Sequence, residues 1–451
     1  MDYSKRLHAL IPGGAHTYSR GDDQYPKNAP QILSHGKGAW VWDADGNKFL
    51  DYGLGLRSVT VGYDYEEISE AGIAEIRKGN NLTRASLTEL KAAETMVDLF
   101  PWADMVKFAK NGSIVTTAAI KLSRAYTGKK FVAMCAEHPF FTYDDWFIGT
   151  TPMDKGIPRE SKSSSLRFHY NNIDSLKKLF DKFPNQIACV ILEPVTYLSP
   201  GPDTCGKDLS IKPDYKNCAD KEKSFLHQVK ELCKKNGAVF ILDEMITGFR
   251  WDLQGAMKTY DIEPDLATFG KGMANGFALA ALVGKKEIME LGGILKEGAE
   301  RVFLISTTHG SEMSAFGAFI KTIDVYKQKD VTAHLWKYGK EFTDGMNALA
   351  KKHGIQKFFS VEGYACSPYY FTRDRNKDVS LDFRTLFSQE MIKGGVLIPW
   401  VALSYSHTTE ELDFTLKAAD KALEIYARAL NDGVEKYLVG KSIKPVFRKY
   451  N

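Results

Sequence analysis

A lysine flanked by glycines, Lys271, lies two residues after the end of a predicted strand, residues 266–269. A ligand can approach such a lysine closely, and partial burial would lower the pKa of its amine so that it acts as a nucleophile. A surface lysine in a turn explains the same residues when they are taken alone. A second strand, residues 238–242, ends at Asp243, and ligands of α/β proteins bind at the carboxyl ends of such strands.

Two further motifs matter: one could bind an anion, and the other carries a carboxylate at a strand end. Asn111, Gly112 and Ser113 join the predicted strand 105–109 to a helix that begins near Ser113. The N–H groups of a helix start, together with a hydroxyl, form a cradle for phosphate, although an ordinary N-cap by Ser113 is the alternative. Glu193 follows another buried strand, where a structural carboxylate is an equally good interpretation.

Together these residues supply the parts that pyridoxal phosphate chemistry requires. Lys271 can form an imine with the cofactor, Asp243 can keep the pyridine nitrogen protonated, and Gly112 with Ser113 can hold the phosphate. The carboxylate–pyridinium hydrogen bond is charge-assisted and is worth about 1.5–3 kcal/mol. A nucleotide-dependent dehydrogenase fits less well, because the glycines at residues 53–55 lack the third glycine of the dinucleotide motif.

The elements that position these residues alternate between strand-length apolar runs and segments with helical periodicity. This alternation is typical of an α/β domain with a mainly parallel sheet. The predicted strands are rich in Val, Ile, Leu and Phe on both faces, as buried strands are; they are residues 105–109, 131–135, 187–192, 238–242, 266–269, 279–283 and 302–305. Residues 113–126 predict a helix, and residues 40–52 predict a β-hairpin with its turn at 45–47.

The length of 451 residues and a hydrophobic content of 44% allow one large core and a smaller one. We expect the two ends of the chain to form a small domain beside a central domain. The expected bounds are 1–55 and 314–451 for the small domain and 56–313 for the large cofactor-binding domain, with a further strand at 395–398.

The composition argues against several classes of protein. With 60 Lys and Arg against 56 Asp and Glu, the net charge of +4 is too small for nonspecific binding to nucleic acid or to an anionic membrane. No apolar run has the length of a membrane span. Six scattered cysteines without zinc-type spacing predict no metal site and reduced thiols in a cytoplasmic protein, although Cys205 and Cys218 share a polar loop and could bridge.

Several landmarks occur in one order along nearly the whole chain: residues 11–14, 36–38 with 45–47, 193–195, 242–250, 264–265 and 270–271. In these motifs the sequence resembles class III aminotransferases, and within them the branch of glutamate-1-semialdehyde 2,1-aminomutase. The resemblance implies a pyridoxal-phosphate enzyme of fold type I, normally a homodimer with its active sites at the subunit interface.

The resemblance also implies roles for individual residues. It assigns the imine to Lys271, the pyridine nitrogen to Asp243 and phosphate contacts to Gly112 and Ser113. It further implies that Thr307 reaches the phosphate of the partner subunit's cofactor.

Other residues of the same motifs would surround the cofactor ring and the substrate. Met245 matches a position that packs on one ring face, and His138 is expected on the other face, with Phe140 as the alternative. Glu193 is expected among the cofactor-binding residues. Arg20 aligns with an arginine that binds substrate carboxylate, with a surface salt bridge as the alternative.

The sequence departs from that branch at positions that concern the substrate. Ile114 stands where the family commonly has glutamate, residues 399–407 offer no match for a late active-site glutamate, and residues 199–224 look like an insertion. These departures favour a transaminase that moves an amino group between a donor and a carbonyl acceptor. An intramolecular aminomutase is the alternative, and a non-catalytic protein that binds pyridoxal phosphate is a third interpretation.

Overall fold

The computed structural model describes residues 2–195, 197–202 and 204–451. The chain folds into two compact units: a central unit, Glu66–Thr332, and a terminal unit made of the segment that ends at Tyr65 together with Ala333–Asn451. The domain bounds expected from the sequence lie at 55/56 and 313/314, and they stay a prediction.

Thirteen strands are formed by the described residues. They are β1 (Leu33–Lys37), β2 (Trp40–Asp43), β3 (Lys48–Asp51), β4 (Met105–Ala109), β5 (Phe131–Cys135), β6 (Ser165–Phe168), β7 (Ile187–Leu192), β8 (Val239–Asp243), β9 (Leu266–Phe269), β10 (Ala280–Gly284), β11 (Phe359–Glu362), β12 (Tyr369–Thr372) and β13 (Val396–Leu397).

The helices range from single turns to 24 residues. They are α1 (Tyr3–Leu10), α2 (Leu54–Arg57), α3 (Glu66–Ile76), α4 (Leu87–Leu99), α5 (Gly112–Thr127), α6 (Asp145–Ile148), α7 (Arg159–Ser163), α8 (Ile173–Lys182), α9 (Phe225–Asn236), α10 (Ala256–Thr259), α11 (Lys286–Met289), α12 (Met313–Lys329), α13 (Val331–Lys352), α14 (Leu381–Lys393) and α15 (Thr409–Asp432). Short 3-10 helices are Tyr18–Arg20, Asp22–Gln24, Tyr215–Asn217, Lys221–Lys223, Lys271–Ala274, Glu290–Gly292 and Val434–Lys436.

The central unit is built on a seven-stranded sheet with the order β4-β10-β9-β8-β7-β5-β6. Strands β6, β5, β7, β8 and β9 run parallel to one another, and β10 is antiparallel to both β9 and β4. Strands β7 to β10 are buried at every residue, as the continuous apolar runs of parallel strands require. The mainly parallel sheet predicted from the sequence is confirmed.

The terminal unit contains a four-stranded sheet with the order β1-β2-β3-β13. Strands β2 and β3 form the predicted hairpin, and β13 adds to β3 in parallel. A separate ribbon is formed by β11 and β12. Helix α14 packs against α15, which begins at a capping box of Thr408 and Glu411.

Six of the seven predicted central strands are present, each within one residue of its predicted bounds. The strand predicted at 302–305 is wrong: these residues join no sheet, and Phe303 is 75% exposed. Apolar residues alone do not make a strand, because a strand also needs a partner for its backbone hydrogen bonds. Strand β6 was missed because its half-polar sequence, Ser165–Phe168, lacks the apolar run of a core strand.

The prediction that all six thiols are reduced is wrong. Cys205 and Cys218 form a disulfide within the inserted segment 199–224, with their Cα atoms 5.4 Å apart, a separation that suits a disulfide. The other four cysteines are free and buried. The spacing of Cys205 and Cys218 along the chain did not predict their disulfide, because the distance between the two residues depends on the path of the loop that joins them.

Two kinds of feature are absent from the described residues. None of their helices is both long enough and apolar enough to cross a membrane. Nor do they bring together three His, Cys, Asp or Glu side chains that could hold a metal ion.

Candidate active site

Most of the predicted site residues follow the carboxyl ends of parallel strands in the central sheet. Asp243 is the last residue of β8, and Lys271 lies two residues after β9. Glu193 directly follows β7, and His138 comes three residues after β5. Because these strands are parallel neighbours, their carboxyl ends meet at one edge of the sheet.

Asp243 has one carboxylate oxygen bound and one free. Its Oδ1 accepts hydrogen bonds from the Met245 N–H and from the Thr268 hydroxyl, each at 3.0 Å. Its Oδ2 is buried and accepts no hydrogen bond from the described residues. A buried polar atom without a partner is rare and calls for an explanation.

Burial also controls the charge of this carboxyl. It raises the pKa of Asp243 to about 6, and the nearby Lys271 ammonium acts in the opposite direction. The side chain is only 1% exposed. A cationic donor opposite Oδ2 would restore the ionised form, because an opposite charge favours a buried carboxylate.

Lys271 has an unusual backbone conformation for a lysine. Its φ is +41°, in the left-handed region that favours glycine. It begins the 3-10 helix Lys271–Ala274 directly after Gly270, and its side chain is half-buried. Backbone strain of this kind is found at functional sites, where the surrounding structure holds it.

Met245 fills the space between the two glycine-containing turns. A Cβ added to Gly112 would lie 2.8 Å from the Met245 sulfur, and one added to Gly270 would lie 2.7 Å from it. Both distances are too short for real contacts. The glycines on either side therefore leave room for this methionine beside Asp243.

The phosphate cradle predicted from the sequence lies at the first turn of α5. The interpretation in which Ser113 caps the helix is wrong, because the cap is Asn111, whose Oδ1 accepts the N–H of Ile114 at 3.1 Å. The buried Ser113 hydroxyl accepts the N–H of Tyr143 at 3.1 Å. Its own proton can therefore be donated to an anion at the helix start.

His138 is buried, whereas Phe140 is 45% exposed. The His138 Nδ1 accepts the backbone N–H of Glu193 at 2.9 Å, so a neutral ring carries its proton on Nε2. Burial lowers the pKa of His138 to about 3, which keeps the ring neutral. Nε2 has no hydrogen-bond partner among the described residues.

The predicted Thr307 belongs to the central unit and is exposed, in a segment without regular structure.

Arg20 belongs to the terminal unit, where it lines a cavity of about 890 Å³. Tyr25, Asp51 and Tyr63 line the same cavity, and the Tyr63 hydroxyl donates to Asp51 at 2.6 Å. Burial and the Asp51 charge raise the pKa of both phenols, and Arg20 acts against them.

The wall of this cavity includes a strained turn. Four consecutive residues, Leu54–Arg57, have φ between +41° and +69°. The buried Asp51 carboxylate holds the turn by accepting the N–H of Gly53 at 2.6 Å and that of Leu54 at 3.0 Å. Left-handed backbone at non-glycine residues costs free energy, so this network must support it.

Two polar residues of the central site were missed by the sequence argument. Thr268 lies within β9 opposite Asp243 of β8, and it binds that carboxylate. Glu244 is fully buried and accepts the Thr247 hydroxyl and the N–H groups of Ala256 and Met257. Thr268 could have been found as the polar residue in an otherwise apolar strand. Nothing in the sequence pointed to the residues that bind Glu244.

These observations fit pyridoxal phosphate. The orphaned Asp243 Oδ2 is an acceptor for a protonated ring nitrogen, and Lys271 is an amine within electrostatic reach of it. Gly112 and Ser113 offer the start of a 16-residue helix to a phosphate. The class that this fold and site define is that of enzymes dependent on pyridoxal phosphate.

The chain belongs to the family Aminotransferase class-III, whose model matches residues 23–198 and 218–430. The resemblance seen in the sequence motifs is thereby confirmed. The two stretches leave out part of the insertion that contains Cys205 and everything after residue 430.

Known relatives cover nearly the whole chain. The 3-aminobutyryl-CoA aminotransferase of Cloacimonas acidaminovorans is 30% identical over 428 residues, which are 94% of this chain and 96% of that protein. The glutamate-1-semialdehyde 2,1-aminomutase of Persephonella marina is 30% identical over 409 residues, 87% of this chain and 90% of that protein.

The fold agrees with solved structures. The FumI protein of Sphingopyxis sp. MTA144, solved in its PLP internal aldimine form, has a TM-score of 0.82 at 26% identity and covers 96% of this chain and 97% of its own. The fold-type I prediction is confirmed, and the protein is an enzyme of amino-group transfer that uses pyridoxal phosphate.

Proposed function

We propose that the enzyme transfers an amino group between separate donor and acceptor molecules, with Lys271 and Asp243 as its catalytic residues. The observation that carries this assignment is the buried Asp243 Oδ2, which has no donor among the described residues and lies near the Lys271 ammonium. Pyridoxal phosphate, when bound, supplies an electron sink for the carbanion formed at the substrate carbon.

Each residue then has a defined task. Asp243 holds a proton on the ring nitrogen through a charge-assisted hydrogen bond. Lys271 is the amine that holds the cofactor and that moves the proton at the substrate carbon. Met245 and His138 enclose the ring, and His138 does so as a neutral group because its pKa is lowered by burial.

We expect the phosphate to have contacts from two chains, its own subunit and the partner subunit. The α5 start, with the Ser113 hydroxyl, would contact it within one chain. We infer that Thr307 contacts the phosphate in the partner subunit of a homodimer, because it is exposed on its own chain. Glu193 would act indirectly, since its N–H orients the His138 ring.

Intermolecular transfer is favoured by the parts of the chain that concern the substrate. An aminomutase must hold one small diamine through two half-reactions, which calls for polar groups at both ends and a closed site. Here Ile114 replaces a glutamate, and the insertion is braced by the Cys205–Cys218 disulfide. The 3-aminobutyryl-CoA aminotransferase is as similar to the chain as the aminomutase.

A cytoplasmic location stays a prediction. The disulfide weighs against it, because disulfides are rare in reducing compartments.

The decisive experiment offers the purified holoenzyme glutamate 1-semialdehyde without any amino donor and measures 5-aminolevulinate. We expect slow or no formation of that product. In parallel, a panel of amino donors and keto or aldehyde acceptors is screened for release of a free keto product, with Lys271→Ala as the inactive control. Rapid conversion of the semialdehyde alone would overturn intermolecular transfer and restore the aminomutase interpretation.

A further inference from the structure

The 890 Å³ cavity of the terminal unit is lined in part by residues that lie outside the family match. Lys441, Ser442 and Lys444 come from the C-terminal tail, defined as residues 433–448, which follows α15. The family model ends at residue 430. This wall of the cavity is therefore a feature of the chain beyond the family core.

The tail is fixed to the N-terminal segment by several contacts. The Lys444 N–H donates to the Asp23 carbonyl at 3.0 Å, and the Gln24 side chain donates to the Lys444 carbonyl at 3.0 Å. Arg448 forms an ion pair with Asp23 at 2.5 Å. The tail is thus fastened three to four residues from Arg20, which lines the same cavity.

The tail is also anchored on α14. The N–H of Val439 donates to the Gln389 side chain at 2.8 Å, and the N–H of Ile443 donates to the Thr385 hydroxyl at 3.0 Å. These bonds fix the backbone on both sides of Lys441. Backbone hydrogen bonds to α14 therefore determine the path of the tail past the cavity. Contacts of the lysine side chains do not.

The cationic side chains of the cavity are not neutralised by the protein. Arg20, Lys27, Lys441 and Lys444 all line it, and none of the four forms an ion pair with another described residue. Lys27 packs against Gly440, since a Cβ placed there would lie 2.7 Å from the Lys27 Cβ.

The acids of the cavity have partners already. Asp22 binds His8 and the Ser4 hydroxyl, and Asp23 pairs with Arg448. The buried Asp51 accepts the Tyr63 hydroxyl at 2.6 Å in addition to two backbone N–H groups. The cavity wall thus carries four cations against three acids, one of which, Asp23, is paired with Arg448, and this excess of positive charge attracts anions.

We propose that Lys441 and Lys444, together with Lys27, bind an oxyanionic ligand in this cavity, whose anionic group is a phosphate or a carboxylate. A cavity of this size lies in the upper part of the range of about 300–1,000 Å³ for small-molecule sites. Ammonium groups bind phosphate as point charges, so several of them suit an oxyanion with more than one charge.

The test measures anion binding rather than turnover. Calorimetric titrations of the holoenzyme with inorganic pyrophosphate and with succinate, at constant ionic strength, give a dissociation constant for each anion. The double variant Lys441→Ala/Lys444→Ala is compared with Lys436→Ala/Lys449→Ala, which removes two exposed lysines near the C-terminus that do not line the cavity. Both variants lose the same charge.

We expect the Lys441/Lys444 variant to bind one of the anions at least about tenfold more weakly than the parent, and the control variant to stay within about twofold. Preference for pyrophosphate would assign a phosphate, and preference for succinate a carboxylate. Equal weakening in both variants, or no saturable binding to the parent, would overturn the proposal. Retained anion binding in a protein without transaminase activity would reject the proposed function alone.

Discussion

Replacing Asp243 by asparagine tests whether this carboxylate serves cofactor binding while it lowers the stability of the folded protein. Burial raises its pKa from 3.8 to about 6. An acid with a higher pKa in the folded state binds more protons when folded, so stability falls as the pH rises from about 4 to 6. At about 1.36 kcal/mol per pKa unit, the ionised side chain costs the cofactor-free protein about 3 kcal/mol above pH 7.

Asparagine has the same shape, and its Oδ1 can still accept the Met245 N–H and the Thr268 hydroxyl. It has no charge to bury. We therefore expect Asp243→Asn to stabilise the cofactor-free protein by about 3 kcal/mol above pH 7 and to leave its stability unchanged near pH 4. The same change should remove most of the activity, because an amide does not stabilise a protonated ring nitrogen as a carboxylate does.

The assay is urea unfolding of the cofactor-free protein, followed by tryptophan fluorescence across this pH range. Asp265→Asn is the matched control, since its carboxylate binds the Lys285 ammonium at 2.5 Å and the Phe240 N–H at 2.9 Å. That variant should gain no stability. The reasoning fails if Asp243→Asn is no more stable than the parent at pH 8, or if its activity stays within a few-fold of the parent.

Three further outcomes are expected. Lys271→Ala should abolish turnover, and borohydride reduction of the parent followed by peptide mapping should place the pyridoxyl group on Lys271 and on no other lysine. Thr307→Val should weaken cofactor binding by about 0.5–1.5 kcal/mol in dialysis titrations; a stable monomer with full activity would contradict the cross-subunit contact. Cys205→Ser/Cys218→Ser should lower stability by about 3 kcal/mol in urea, and a reducing agent should destabilise the parent but not this variant.

The central sheet and its edge could be predicted because buried parallel strands have a simple pattern. A continuous apolar run that stops near a charged residue places that residue at a strand end, as for Asp243 at the end of β8 and Lys271 just after β9. Parallel pairing then brings the ends together without further information. The strand predicted at 302–305 has the same apolar pattern but no partner, which periodicity does not reveal.

The residues that were missed depend on register or on the path of a loop. Thr268 reaches Asp243 only because β8 and β9 pair these two positions. The cap of α5 is Asn111 rather than Ser113, a difference of two residues that local propensity does not resolve. The disulfide depends on how residues 199–224 fold back, and a sequence separation of 13 is compatible with bridged and unbridged loops alike.

The reaction is easier to infer than the substrate, because the two depend on different parts of the chain. Asp243, Met245 and Lys271 lie within the stretches that the family model matches, and the chemistry proposed for them is shared by any amino-group transfer with this cofactor. The disulfide-linked insertion and the C-terminal tail with Lys441 and Lys444 lie largely outside those stretches. Since specificity is a difference in binding between competing substrates, the segments added to the family core are where such a difference should arise.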